Sequence, residues 1–520
     1  MMYHPKSFHL KNGPFVLLLA CTLAAAAPGA EPAGDAPKTG TNAVENSVVK
    51  IFSTARYPDY FKPWTKSAPV DMTGSGVVIE GRRILSNAHV VLFASQVQVQ
   101  ANQAGDKIPA TVEAVAVDMD MAILKLEDES FFASHPPLPR ARNLPEIKDS
   151  VVLYGYPQGG NSLSLTKGIV SRIEFVGYSE LAAGLRIQID AAVNPGNSGG
   201  PAVAGDKMIG LAFSKLAGGA QNIGYIIPCE EIELFLTRIG DGHYHFKPGI
   251  FDVTQTLENP ALRPYLKLDK AAEGLIVREP QSTNADYPLK TWDLITRIGS
   301  TPVDDEGMVK APANLHVGLA YLAQKLETNG TIPLTVIRGG KEVSVKLPFG
   351  PRPEMAIPTL RGTYPSYFVY GPVVFTTATV EFVQSLMADA DHVWAGYLMA
   401  KGSPLVRRWG DKPAFKGEQL VVVPCPMFPH KLSQGYSNPG GEVVKNINGK
   451  AIKNLGHLVE VLRDSKDEFI VIEFEGGNNE RMVFPRAEMV AATEEILTDN
   501  GVRSQGSPDT LAIWNRKAAN

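Results

Sequence analysis

The chain has 520 residues, 50 basic and 54 acidic side chains, and a formal net charge of −4. This length exceeds what one hydrophobic core supports and predicts about two to four domains. The slightly acidic balance, without a basic stripe, argues against nucleic-acid binding. Three cysteines are too few for a disulfide-rich scaffold or a cysteine-based zinc site.

The first 30 residues have the pattern of a secretory signal peptide. Lys6 and Lys11 precede the apolar run Phe15–Leu23, and a series of alanines follows. A charged start, a short apolar core and a small-residue exit are typical of a segment that is removed on secretion. We therefore expect a periplasmic or secreted protein, with a lipoprotein anchored through Cys21 as the alternative.

After a leader rich in Pro, Gly and Ala (residues 31–44), a domain of short apolar segments separated by Gly, Asn and Asp turns is predicted for residues 45–240. The predicted strands include Gly76–Ile79, Val97–Val99, Thr111–Val115, Met121–Leu126, Val151–Tyr154, Lys167–Ile173, Leu185–Ile189 and Met208–Phe213. This spacing is typical of antiparallel all-β structure, here two barrels packed together. The amphipathic segment Pro228–Ile239 predicts a helix that closes the domain.

The segment Gly196–Pro201 predicts a nucleophilic serine. Ser198 lies between glycines, which let the backbone approach a bound carbonyl closely. The turn Gly196, Asn197, Ser198 predicts an oxyanion hole, in which the amides of Gly196 and Ser198 point at one spot. A serine hydroxyl is a weak nucleophile, so a base held by a third group is required.

Both partners lie upstream, in the order His, Asp, Ser. His89 follows the predicted strand Gly76–Ile79, and Asp120 opens the strand Met121–Leu126. In this interpretation His89 takes the proton of Ser198, and Asp120 fixes the tautomer of the imidazole. A histidine beside valines or an Asp-x-Asp turn is, taken singly, more often structural; the joint pattern predicts a catalytic triad.

The segment 73–236 resembles the trypsin-like protease domain of the HtrA/Deg family, in particular its plant-type Deg branch. The matching segments are Thr73–Gly76, Ser86–His89, Asp120–Ala122, Gly155–Pro157, Gly168–Ser171, Gln188–Pro201 and Asn222–Pro228. The resemblance covers about residues 45–510. It implies an ATP-independent endopeptidase that is mainly β, with a chymotrypsin-like double β-barrel followed by PDZ-like domains. It also implies trimers or multiples of trimers.

A specificity pocket is predicted from the position six residues before the serine. In basic-specific members of the wider trypsin-like class this position is acidic, whereas here it is Ala192. The expected walls of this pocket are Leu211, Ala212, Phe213 and Ser214. We expect small or medium apolar P1 residues to be accepted and Lys and Arg to be rejected. The nearby Asp190 is out of register and is expected to be structural.

The C-terminal half repeats one order of elements. The first copy comprises Ile295–Gly299, a helix Leu315–Leu326, Leu334–Ile337, the turn Gly339-Gly340 and Glu342–Leu347; the second comprises Val444–Gly449, a helix Leu455–Leu462, Phe469–Phe474, the turn Gly476-Gly477 and Arg481–Phe484. Asn314 and Asn454 are predicted N-caps. The repeat means two related domains, which resemble PDZ domains and are placed at residues 248–350 and 362–490. Residues 491–520 are expected to be a tail.

A PDZ domain binds an extended peptide as an added strand beside a carboxylate-binding loop. In the first copy this loop would be formed by Gly249, Ile250, Phe251 and Asp252, which predicts binding of peptide C-termini; a packing strand without a ligand is the alternative. The candidate loop of the second copy, Val369–Pro372, contains a proline without an N–H. A long insertion, about Glu381–Phe428, also follows it, so an oligomer contact is an equal alternative there.

An aromatic cluster precedes the first catalytic strand. It consists of Phe52, Tyr57, Tyr60, Phe61 and Trp64. So many aromatics in a polar segment predict an exposed contact of a homo-oligomer; a simple cover of the barrel is the alternative. No disulfide is predicted between Cys229 and Cys425, because they fall in different domains.

These features predict a serine endopeptidase acting on unfolded or damaged proteins, without ATP, a metal or another cofactor. The pair His243 and His245 is interpreted as part of a linker, since no third ligand is near. A non-catalytic chaperone or peptide-binding scaffold is the rival, against which the complete triad argues. A dedicated processing protease shares the same residues and stays an alternative.

Overall fold

The computed structural model describes residues 44–102, 104–160, 162–179, 182–214, 224–240, 244, 246–312, 315–388, 393–476 and 480–516. The predicted signal peptide, Cys21, nearly all of the leader, Asn314, Gly477 and both linker histidines lie outside these residues. Among the described helices, none is long and apolar enough to cross a membrane.

The first six strands close into a barrel in the order β1-β2-β3-β6-β5-β4. They are β1 Val48–Ala55, β2 Val70–Ile79, β3 Arg83–Ser86, β4 Ala94–Ala101, β5 Ile108–Ala116 and β6 Met121–Leu126, with a short helix α1 Ala88–Val91 after β3. Side chains alternate between the two faces of each strand. Val49 and Ile51 therefore fill the barrel, whereas Val48 faces the layer between the two barrels.

The second barrel has the strand order β10-β11-β12-β9-β8-β7. Its elements are β7 Ser150–Gly155, β8 Ser164–Ser179, β9 Ala182–Ile189, β10 Pro201–Ala204, β11 Lys207–Ser214, β12 Gly224–Pro228 and the closing helix α2 Cys229–Arg238. Each predicted strand lies within an observed strand, and the predicted closing helix is one residue longer at either end. The prediction of a double β-barrel is confirmed.

The first PDZ-like domain contains a sheet of order β13-β14-β15-β19-β20. Its elements are β13 Val253–Thr256, α3 Leu262–Tyr265, β14 Leu275–Glu279, β15 Leu294–Ile298, β16 Thr301–Pro302, β17 Met308–Ala311, β18 Leu315–Gly318, α4 Ala320–Leu326, β19 Thr331–Arg338 and β20 Lys341–Pro348. The predicted helix Leu315–Leu326 is wrong at its start. Leu315 and Val317 are buried while His316 is exposed, which is the period of a strand, and this strand pairs with β17.

The second PDZ-like domain has two small sheets, β21-β22-β23 and β25-β24-β26-β27. Its elements are β21 Tyr367–Tyr370, β22 Val373–Thr377, α5 Val380–Met387, α6 Val393–Ala400, α7 Pro404–Arg407, β23 Val421–Val422, β24 Val444–Ile447, β25 Lys450–Ala451, α8 Leu455–Asp464, β26 Phe469–Phe474, β27 Met482–Pro485, α9 Arg486–Asp499 and α10 Pro508–Trp514. Asn454 caps α8, since its side chain accepts a hydrogen bond from the His457 amide at 2.8 Å.

The expectation of a tail from residue 491 is wrong for the described part of that segment. Ala492, Ile496 and Leu497 of α9 are buried in a cluster with β21 and β22, because they lie on one face of the helix. Trp514 of α10 packs on Phe368, with ring centroids 5.1 Å apart. The C-terminal helices are therefore part of the second PDZ-like domain.

Two members of the aromatic cluster before β2, Phe61 and Trp64, pack against a later part of the chain. The Phe61 ring lies 5.7 Å from that of Phe382, and the Trp64 ring lies 5.2 Å from that of Phe428. Both partners belong to the second PDZ-like domain. These aromatics therefore dock that domain on the first barrel, which neither predicted role anticipated.

Candidate active site

His89 and Asp120 are brought together by the first barrel. The Asp120 carboxylate contacts His89 twice: Oδ2 lies 2.7 Å from the imidazole Nδ1, and Oδ1 accepts a hydrogen bond from the His89 amide at 2.9 Å. The Asp120 side chain is 14% exposed and that of His89 is 46% exposed. A single carboxylate thus fixes both the ring and the backbone of the histidine. Among the described residues the other ring nitrogen has no hydrogen-bond partner, so it can take a substrate-side proton.

Asp120 holds an uncommon backbone conformation. Its φ is +54°, in the left-handed region, at the end of the turn between β5 and β6. The buried side chain of Asn87 donates a hydrogen bond to the Asp120 carbonyl at 2.9 Å. A non-glycine residue in this region costs roughly 1–3 kcal/mol and persists only where its surroundings hold it.

Ser198 lies in the turn that precedes β10. Gly74 of β2 separates it from the helix of His89, because a Cβ on Gly74 would lie 2.7 Å from the Val90 side chain and 3.4 Å from the Ser198 carbonyl. The Ser198 hydroxyl donates to the Phe213 carbonyl at 3.2 Å, which is its one hydrogen bond within the described part of the chain. The structure thus assembles the His89–Asp120 pair, whereas among the described contacts the serine hydroxyl bonds a main-chain carbonyl rather than the imidazole.

The predicted oxyanion turn offers two amides. Gly196 has φ +98°, and a Cβ there would lie 2.4 Å from the Tyr156 carbonyl, so only glycine fits. Within the described residues, the N–H groups of Gly196 and Ser198 have no hydrogen-bond acceptor. The assignment of Asn197 needs correction, because its amide donates to the Asn194 carbonyl at 3.0 Å and closes the turn.

Ser75 stabilises the serine turn through three hydrogen bonds, although sequence analysis assigned it no role. Its Oγ donates to the Gly196 carbonyl and accepts from the Tyr156 amide, both at 2.8 Å, and the Ser75 amide donates to the Ser198 carbonyl at 2.9 Å. The signal available in the sequence was a serine between two glycines at the start of the apolar run of β2. The structure buries this serine fully.

The structure places the residues of the predicted specificity pocket at different depths. Ala192 is half-buried beside the serine turn, and Phe213 is half-buried. Leu211 and Ala212, in contrast, are both 0% exposed and belong to the cores between and within the barrels, so they do not line an open pocket. The Ser214 side chain lies outside the described residues. Asp190 accepts from the Ile169 amide at 2.6 Å, as expected for a structural role.

The candidate carboxylate loop of the first PDZ-like domain keeps two free donors. The Gly249 amide donates to the Gly350 carbonyl at 3.0 Å, whereas the amides of Ile250 and Phe251 have no acceptor among the described residues. Asp252 turns inward, where its carboxylate accepts from the Gln281 amide at 2.7 Å. Burial raises the pKa of this carboxyl. The strand that follows, β13, is an edge strand with β14 as its partner.

In the second PDZ-like domain the corresponding edge is occupied by the chain's own C-terminal segment. The Val369 amide of β21 donates to the Gln505 carbonyl at 2.7 Å, and the Ser507 amide donates to the Tyr367 carbonyl at 3.0 Å. The amide of Gly371, in the candidate loop, donates to Thr493 Oγ1 at 3.0 Å.

Neither described cysteine is disulfide-bonded, and burial raises the pKa of the Cys229 and Cys425 thiols to about 12. Within the described ranges no cluster of three His, Cys, Asp or Glu side chains could hold a metal ion.

Two segments of the chain match models of known families. Residues 74–211 match the family model of the trypsin-like peptidase domain, and residues 358–509 match that of the PDZ domain. "Protease Do-like 2, chloroplastic" of Arabidopsis thaliana is 35% identical over 90% of this chain and 75% of its own length. "Protease Do-like 4, mitochondrial" of the same plant is 32% identical over 89% of this chain and 85% of its own length. A solved structure, the HtrA-type protease AlgW with a decapeptide, is 22% identical over 61% of this chain and 98% of that chain, with a TM-score of 0.45.

Proposed function

The chain belongs to the HtrA/Deg family of trypsin-like serine endopeptidases, and from this premise we propose that His89, Asp120 and Ser198 are its catalytic triad. The observation that carries the proposal is the double contact of the Asp120 carboxylate with His89. That contact occupies Nδ1 and leaves Nε2 to act as the base toward Ser198.

In the proposed mechanism, Ser198 first turns its hydroxyl from the Phe213 carbonyl to His89. The imidazole takes the proton as Ser198 Oγ attacks the scissile carbonyl, and later gives it to the leaving amine. The free amides of Gly196 and Ser198 are the donors for the oxyanion, and such a donor contributes about 3–4 kcal/mol to the transition state.

We propose unfolded or damaged proteins as the substrates, with small or medium apolar residues at P1. Ala192 supports this preference, because no acidic side chain is present at that position to bind Lys or Arg. Peptide C-termini are proposed to bind at the first PDZ-like domain, where free amides adjoin an edge strand. The proposed location is the periplasm or the exterior, with anchoring through Cys21 as the alternative, and the proposed assembly is a trimer or a multiple of trimers.

The test of the triad is cleavage of casein by the full chain and by its Ser198→Ala and His89→Ala variants. Both substitutions are expected to lower the rate about ten-thousand-fold or more. Ser95→Ala is the matched control, since the Ser95 hydroxyl only donates to a carbonyl in the same barrel. Full cleavage by Ser198→Ala would reject the triad, and mass spectrometry showing mostly cuts after Lys or Arg would reject the P1 preference.

Serine-directed inhibition of wild-type protein separates catalysis from scaffolding. A chain that acts only as a chaperone or peptide-binding scaffold would prevent aggregation of casein equally with and without the inhibitor, and would release no fragments. Trapping of substrates by the Ser198→Ala variant then distinguishes a broad degradative protease from a dedicated processing protease.

A further inference from the structure

The two linkers that join the three domains meet at the turn that carries Asp120. This Asp120 turn comprises residues 117–120 between β5 and β6. One linker enters the first PDZ-like domain at Lys247, and the other, around residues 360–364, joins the two PDZ-like domains.

The first linker is fastened to the Asp120 turn by a buried hydrogen bond. The Lys247 amide donates to Asp118 Oδ2 at 3.0 Å, and Asp118 is 5% exposed. The Lys247 side chain is itself held, because its ammonium lies 2.6 Å from the equally buried carboxylate of Glu231. Glu231 in turn accepts from the Leu185 amide at 2.9 Å. Lys247, which donates to Asp118, is therefore also linked to the second barrel through Glu231.

The second linker packs against both elements that carry the catalytic pair. Gly362 has φ +81°, and a Cβ there would lie 2.9 Å from Leu92 Cδ1 and 3.1 Å from Val117 Cγ2. Leu92 is the residue that ends the helix of His89, and Val117 is the first residue of the Asp120 turn. An alanine at position 362 would have to shift the ends of these two side chains and would also hold a left-handed backbone conformation that favours glycine.

Two further contacts hold this linker in place. The Tyr364 hydroxyl donates to the Arg56 carbonyl at 2.9 Å, and its ring lies 5.2 Å from that of Phe93, which follows the His89 helix. The Arg361 guanidinium lies 4.2 Å above the ring of Phe246, the neighbour of Lys247. The two linkers thus contact each other beside the active site.

We propose that the two interdomain linkers position the catalytic carboxylate, with Asp118 and Gly362 acting as positioning residues through the Asp120 turn and Leu92. This inference rests on the proposed triad. Asp120 holds a left-handed backbone conformation that its surroundings must maintain, and the linkers supply two of the surfaces that do so. The PDZ-like domains therefore contribute to the geometry of the site even without a bound peptide.

The test compares two glycines with the same backbone conformation. Gly362→Ala is expected to lower kcat about ten- to hundred-fold, the usual result of a small misplacement of catalytic groups, with KM changed less than about twofold. Gly410 has φ +79° and no atom within 4 Å of an added Cβ. Gly410→Ala is therefore the matched control and is expected to retain wild-type kcat.

Active-site titration distinguishes positioning from general loss of stability. A serine-directed inhibitor counts the active molecules, so a displaced Asp120–His89 pair should lower kcat per titrated site while KM stays nearly unchanged. A variant that is merely less stable would lose titratable sites and keep wild-type kcat per site.

A second pair of variants keeps the inference testable if Gly362→Ala does not fold. Asp118→Ala removes the acceptor of the Lys247 amide and should lower kcat about tenfold or more, whereas Asp118→Asn retains an oxygen acceptor and should recover most of it. Wild-type kcat per titrated site in Gly362→Ala, or equal kcat for Asp118→Ala and wild type, would overturn the inference. The Ser198→Ala variant distinguishes failure of the linker inference from failure of the proposed triad. If Ser198→Ala is inactive, the triad remains supported even when the linker variants behave like wild type.

Discussion

The two PDZ-like domains share one order of elements but differ in what covers the strand beside their candidate carboxylate loops. In the first domain β13 is an edge strand, and the amides of Ile250 and Phe251 lack acceptors among the described residues. In the second domain β21 pairs with residues 505–507, and the amide of Gly371 is taken by Thr493.

We therefore expect availability of an edge, rather than the presence of a loop motif, to decide whether such a domain can take a peptide. A peptide adds to a sheet by pairing with free main-chain groups. The second domain has already satisfied those groups with its own C-terminal segment. Sequence analysis predicted unequal peptide binding from Pro372 and the insertion, and the structure adds contacts of this edge with residues more than a hundred positions away.

The largest expected effect is the loss of the second domain when the chain ends at Asp499. This truncation removes the segment paired with β21 and also Trp514, whose ring packs on those of Phe368 and Tyr370. The lost stability should approach that of a marginal domain, about 5 kcal/mol or more. Calorimetry should therefore show one fewer unfolding transition.

Truncation after Arg516 is the control for this experiment, since it leaves these contacts in place. If the chain ending at Asp499 unfolds with the same transitions as the control, the C-terminal segment is not part of the second domain.

The next effect isolates one hydrogen bond of the occupied loop. Thr493→Val keeps the shape of the side chain but removes the acceptor of the buried Gly371 amide, which should cost roughly 1–3 kcal/mol. Thr498→Val is the control, because the exposed Thr498 hydroxyl only donates to a carbonyl of its own helix. Equal unfolding temperatures for the two variants would show that the Gly371 amide gains little from Thr493.

Much of the barrel architecture could be predicted from the sequence, because the period-two pattern of a strand with one buried face is local. The helix capped by Asn454 and the strand Met121–Leu126 are of the same kind. The spacing of His89, Asp120 and Ser198 likewise predicts their roles, and the structure shows the His89–Asp120 contact directly.

The errors concern information that is not local. Leu211 and Ala212 sit next to Phe213 in sequence, yet their side chains enter two different cores. The packing of Phe61 and Trp64 depends on residues some 300 positions later. The orientation of the Ser198 hydroxyl depends on a carbonyl that becomes available only when β11 reaches the serine turn. No periodicity of the sequence reports such contacts.

A third prediction concerns peptide binding by the first PDZ-like domain. An apolar peptide with a free C-terminal carboxylate should bind the full chain at the first domain, and the same peptide with an amidated terminus should bind about tenfold more weakly, or about 1.4 kcal/mol. The reason is that two free amides favour a charged acceptor. Titration calorimetry measures both affinities.

Thr493→Val should leave both peptide affinities unchanged, since it alters only the second domain. Equal binding of the free and amidated peptides would mean that the loop at Gly249–Asp252 does not read the carboxylate.

The smallest effect is an opposite response of the two domains to pH. In the first, burial raises the pKa of Asp252, so its ionisation costs stability at neutral pH and this cost disappears as the pH falls toward the ordinary aspartate range, about 4. In the second, the hydrogen bond from Arg408 lowers the pKa of Glu418. The ionised Glu418 thus stabilises its domain above about pH 4.3, and this contribution is lost as the pH falls further through the lowered value.

Asp252→Asn and Glu418→Gln should therefore act with opposite sign at pH 7. The first should leave its domain unchanged or more stable, because an amide oxygen still accepts from the Gln281 amide, and the second should cost its domain about 1 kcal/mol. Both differences should shrink as the pH is lowered toward 4 and below. Thermal unfolding of the full-length variants at several pH values measures both differences in stability. If both variants lose the same stability at pH 7, burial of Asp252 and the hydrogen bond from Arg408 to Glu418 do not have opposite effects on their domains.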